Sequence, residues 1–93
     1  MKRYQPKDLW QVVRYFAKAV KQASDLDSRP TLEPNEQYFV SEFLTDMEEM
    51  LIEQLVTITL DGAARESLLE ETGLDYLVPA LREKAEQFDT DYE

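Results

Sequence analysis

Apolar residues recur along this chain at helical spacing almost throughout. From Pro6 to about Ser24, Leu9, Val12, Val13, Phe16, Val20 and Ala23 repeat at steps of three, four and seven, which marks one face of an α-helix. Pro6 suits the first turn of that helix, where the N–H it lacks would have no partner within the helix. Asp25 to Pro34 is rich in Asp, Ser, Pro and Thr and reads as a loop. A second, longer helix is predicted from Pro34–Asn35 to Leu55 or beyond, with Val40, Phe43, Leu44, Met47, Leu51, Leu55 and Ile58 on one stripe. Val56, Thr57, Ile58 and Thr59 are all β-branched, which lowers helix propensity. A lone strand there would have nothing to pair with, so the run is read as a frayed or tightened helix end, followed by a turn at Asp61–Gly62.

A short third helix fits Ala63 to Thr72, with Gly73 as its C-terminal cap. A fourth fits about Asp75 to Phe88, turning Leu77, Val78, Leu81, Ala85 and Phe88 inward. Pro79 lies near its first turn and is expected to kink it or delay its start. The acidic tail from about Asp89 to Glu93 is expected to fray. The pattern therefore predicts an all-α fold, one compact bundle of three or four helices around the long second helix, with residues 1–93 as a single domain.

The second helix carries more apolar surface than one stripe needs. Tyr38, Ile52 and Val56 form a lesser group on one flank, and Phe39 and Met50 another. A helix this apolar is ordinarily covered on most sides. The cover is either the other three helices or a second chain, which would make the protein a homodimer or a bound subunit.

Charge changes the picture next. The net charge is −10, and it is divided along the chain. Residues 1–21 hold six basic groups against Asp8 alone, whereas the remainder hold four against nineteen acids. On the first helix, Lys7, Arg14, Lys18 and Lys21 fall within an arc of roughly 60°, at about 100° per residue. On the second, Glu42, Asp46, Glu49 and Glu53 fall within a similar arc of roughly 60°. Both arcs oppose the apolar stripes of their helices, so both are expected to face solvent rather than each other. No Lys or Arg occurs between Thr31 and Ala64, so the acidic row has no cation on its own helix and its members repel one another weakly.

Composition then removes whole classes of chemistry. With no histidine, Ser-His and Cys-His nucleophile pairs and the common zinc and di-iron motifs cannot be built. With no cysteine, disulfides and thiolate metal sites are excluded and nothing points to an oxidising compartment. Gly62 and Gly73 stand too far apart for a phosphate-binding loop. Carboxylate acid–base catalysis remains, but no acid is marked by sequence as buried beside another. No enzyme activity and no cofactor are expected. No apolar run reaches the roughly 18–20 residues of a membrane span, and the basic N-terminus has charges interspersed among its apolar residues, unlike a signal peptide. A cytoplasmic protein is expected.

Two stretches weakly resemble known motifs. Asp25, Asp27 and Glu36 stand at positions 1, 3 and 12 of a stretch that resembles an EF-hand loop, but Arg29 replaces a ligand and Pro30 the turn glycine. No metal is assigned; the alternative is an acidic interhelical loop in which Asp27 or Thr31 caps a helix. The stretch from Leu69 to Leu81 loosely resembles the end of some histone-fold subunits, without their basic loops, and nothing is carried over from it.

The function expected from these features is a non-catalytic interaction module, an adaptor, small subunit or inhibitor. It would set the acidic face of Glu42, Asp46, Glu49 and Glu53 on a basic surface of a larger protein, with Glu48 and the tail in support. Tyr38, Phe39 and Trp10 are its candidate aromatic anchors. Spaced over about 16 Å at 1.5 Å per residue, the row also has the dimensions of a phosphate mimic of nucleic acid. The alternatives are a nucleic-acid-associated regulator using Lys7, Arg14, Lys18 and Lys21, which the surrounding negative charge opposes, and a self-assembling structural protein.

Overall fold

The computed structural model describes residues 6–29 and 31–92. Lys2, Arg3, Tyr4 and Pro30, and the end of the acidic tail at Glu93, lie outside them. The order is α1 (Pro6–Asp27), α2 (Pro34–Ile58), α3 (Gly62–Glu71), a 3₁₀ turn (Asp75–Leu77) and α4 (Val78–Tyr92). No strand occurs among the described residues, and the fold is an all-α bundle.

Two helical hairpins stack on each other. α1 and α2 form the longer one and pack most extensively. Its closed end is tied by Gln37, whose Nε2 donates to the Asp27 carbonyl at 3.0 Å and to Asp27 Oδ1 at 2.6 Å. α1 thus runs three residues past Ser24, and the connection shrinks to residues 28–33. The cap of α2 is neither Asp27 nor Thr31. Glu33 precedes the helix, and its N–H donates back to the Glu36 carboxylate at 3.0 Å, as in a capping box.

α2 ends at Ile58, and Thr59 is extended, with φ −151° and ψ 149°. The β-branched run therefore closes the helix rather than starting a strand. Asp61 then caps α3, its carboxylate accepting from the N–H groups of Ala63 and Ala64 at 3.0 and 3.2 Å. α3 closes with a Schellman motif. Leu74 N–H donates to Leu69 O at 2.7 Å and Gly73 N–H to Glu70 O at 3.2 Å, with Gly73 at φ +78°. A Cβ on Gly73 would also lie 3.1 Å from Lys21 Cε, so both conformation and space favour glycine there. Pro79 delays α4 rather than kinking it: the 3₁₀ turn stands where an earlier first turn was expected, and Pro79 falls in the opening turn of the helix. α4 then continues past Phe88 through the tail to Tyr92.

The second hairpin, α3 with α4, lies on one face of the first. Leu68, Leu69, Leu74, Leu77 and Leu81 meet Val13, Ala17 and Val20 of α1 and Leu44, Leu51, Ile52, Leu55 and Val56 of α2 in one core. The faces actually buried are rotated from those expected. On α1 the burial centres on Val13, Ala17 and Val20, while Leu9 and Val12 are 41% and 63% exposed. On α2 it shifts toward Ile52 and Val56, leaving Phe43 and Met50 52% and 50% exposed. The reason is the one-sided cover. α3 and α4 draw in the apolar residues nearest to them and leave the opposite edge of each stripe bare.

Candidate functional site

The acidic row is the site built most plainly by the local sequence. α2 buries Leu44, Leu51 and Leu55 toward the core, and on a helix the positions about half a turn away must then face water. Glu42, Asp46, Glu49 and Glu53 hold those positions, and all four are exposed. Among the described residues only Glu53 of the row has an ion-pair partner, Lys84 Nζ of α4 at 4.0 Å, the outer limit of an ion pair. Asp46, Glu49 and Glu53 line a shallow depression of about 310 Å³ around Met50. On its other side the row borders a cleft of about 330 Å³ between α2 and α4, floored by Ile52, Leu77 and Ala80, with Glu48 and Lys84 at its edges.

The basic stripe of α1 is differently placed. Because burial on α1 is rotated, the stripe lies along the seam with α3 instead of directly opposite the core. Arg14 Nε pairs with Glu71 of α3 at 2.9 Å, and Lys21 pairs with Asp25 on its own helix at 3.0 Å. Lys18 sits 5.7 Å over the Tyr15 ring, and Lys7 is exposed. Among the described residues no ion pair joins the stripe of α1 to the acidic row of α2. Each stripe therefore keeps its own surface, but the basic one is partly compensated within the chain.

The three aromatic candidates separate. Tyr38 and Phe39 are exposed on α2. Phe39 stacks on Phe43, with ring centroids 5.9 Å apart and planes 7° apart. Trp10 is half-buried against the core from α1. Glu48, read as supporting the row, accepts a hydrogen bond from the Tyr76 hydroxyl. Tyr76 is 50% exposed, and partial burial of its phenol, reinforced by the bond to Glu48, pushes it up to about 12. Asp89 of the tail pairs with Arg65 while its side chain stays 43% exposed. Across the second hairpin, Arg82 grips Glu66 at 2.8 Å and holds that carboxyl below the usual carboxylate range.

Arg65 is the residue that sequence reasoning misses. It is 1% exposed, the only buried charged side chain among the described residues. Its Nε donates to Thr59 O at 2.8 Å and its Nη2 to Val56 O at 3.0 Å, so it closes carbonyls at the end of α2. The same guanidinium meets both Asp89 oxygens at 3.3 Å. Nothing in its local sequence separates it from the other cations, and its role is architectural.

Chemically, this surface can present negative potential and apolar contact. Among the described residues no three acidic side chains gather as a metal site would need. Asp27 and Glu36 of the calcium-loop pattern are engaged with Gln37 and with the Glu33 N–H. No described helix is long and apolar enough to cross a membrane. Comparison with protein-family models, with curated proteins and with solved structures gives no match.

Proposed function

We propose that this protein is a non-catalytic interaction module, an adaptor, small subunit or inhibitor of the cytoplasm, that sets the outer face of α2 on a basic surface of a larger protein. The observation that carries this reading is the exposure of Glu42, Asp46, Glu49 and Glu53 as one row, with Lys84 the single cation paired to it, at 4.0 Å, among the described residues. Carboxylates that repel one another on one helix cost the fold a little and give it nothing in return. A cationic partner would reverse that balance. Such a field speeds and orients association more than it adds affinity, so contact must be anchored by adjacent apolar groups, and Tyr38 and Phe39 flank the row. A surface shaped to receive the basic groove of a nucleic-acid-binding protein is one form this partner could take.

The basic stripe of α1 supports the alternative less well, since Glu71 and Asp25 already engage Arg14 and Lys21. Charge reversal tests the choice. Replacing Glu42, Asp46, Glu49 and Glu53 by Lys should abolish capture of the partner from host lysate and slow association at low salt about tenfold or more. Replacing Lys7, Arg14, Lys18 and Lys21 by Glu should leave capture intact. The opposite result would transfer the function to α1, and indifference to both would reduce the charge to a solubility device.

A further inference from the structure

The uncovered edges of α1 and α2 are not scattered; they meet. Leu9, Val12 and Val13 of α1 and Met50 and Ile58 of α2 line one open groove of about 570 Å³, with Glu53 at its rim. Phe39 and Phe43 extend the apolar edge toward the start of α2. From Phe39 to Ile58 the edge is roughly 28 Å long at 1.5 Å per residue, enough for a helix of about 18 residues. Met50 and Glu53 belong both to this groove and to the acidic depression, so the apolar and acidic surfaces are one continuous face. Gln54 and Thr57 supply the polar part of the groove wall.

Charge selects the occupant. A second copy seated groove to groove would bring acidic rim onto acidic rim: α2 has no Lys or Arg, Arg14 and Lys21 of α1 are engaged with Glu71 and Asp25, and the exposed Lys7 and Lys18 lie roughly 120° or more around α1 from Leu9 and Val12, at about 100° per residue. We propose that the groove between α1 and α2 receives one amphipathic helix of a partner protein, apolar along one face and lined with Lys or Arg along the edge that meets Asp46, Glu49 and Glu53. This rests on the reading of the acidic row as a docking face and names what docks there. It is the helix-in-groove mode of recognition, with the stripe as anchor and the row as guide.

The test uses the full chain and three labelled synthetic helices. The first has a Leu stripe with Lys flanks; the second has the same residues reordered so that the stripe is lost; the third has the stripe with Glu flanks. Fluorescence anisotropy should show the first binding about tenfold or more tighter than either of the others. Val12→Ser with Met50→Ser should remove that advantage without changing the helical circular dichroism, since both side chains are already half exposed or more. Equal binding of the reordered basic peptide would overturn the groove and leave the acidic row standing. Unchanged binding by the Ser variant would do the same. Failure of both basic peptides would sink the row as well. A dimer in sedimentation that the Ser variant dissolves would give the groove to a second copy and overturn the inference.

Discussion

One guanidinium ties three parts of the chain. Arg65 satisfies Val56 O and Thr59 O, carbonyls that a helix end would otherwise leave to water, from a side chain only 1% exposed. Arg65→Met keeps much of the volume but strands both acceptors, and should cost about 3 kcal/mol in chemical denaturation. Arg65→Lys should recover only part of this, because an ammonium cannot reproduce the planar fork. Tyr76 gives a pH signature. Its phenol is raised from the ordinary value near 10 to about 12. The stabilisation it brings is complete below the ordinary value and is lost as pH climbs toward about 12. Tyrosinate absorbance should show a step near pH 12, and Tyr76→Phe should delete it.

At the scale of the helix, the acidic row should be a place where stability and function pull apart. Asp46, Glu49 and Glu53 follow one another at steps of three and four, so each adjacent pair weakens the helix by about 0.2–0.5 kcal/mol. Glu49→Gln should therefore raise the melting temperature slightly while reducing partner capture. A row serving only solubility would show the first effect without the second. This row was readable in the sequence, as were the four helices, because period and punctuation are local properties. Gly73, Pro79 and the β-branched run at the end of α2 all act within a few residues of themselves. What local pattern could not supply was which part of each apolar arc would be covered. Ala17 carries almost no hydrophobic signal yet is fully buried, and Val12 carries a strong one yet lies 63% exposed. That outcome depends on where α3 and α4 settle, which is a property of the assembled chain. Arg65 was illegible for the same reason: its partners lie on α2 and α4, and no spacing along the sequence announces them.

For the molecule as a whole, charge and bare apolar surface are complementary. A net charge of −10 opposes the approach of a second copy, and on the proposed reading the open hydrophobic face is kept for a basic partner. Three arginines pin the elements to one another: Arg14 to Glu71 joins α1 to α3, Arg82 to Glu66 closes α3 on α4 at the surface, and Arg65 works from the interior. Arg65 has the widest reach of these, because it links the last turn of α2 to the closing residues of α4. Those two segments are distant in sequence, yet neither can open without releasing the same clasp. Their amides should exchange with deuterium at matched rates, as one cooperative unit, and Arg65→Met should uncouple them, with the end of α4 becoming the faster of the two.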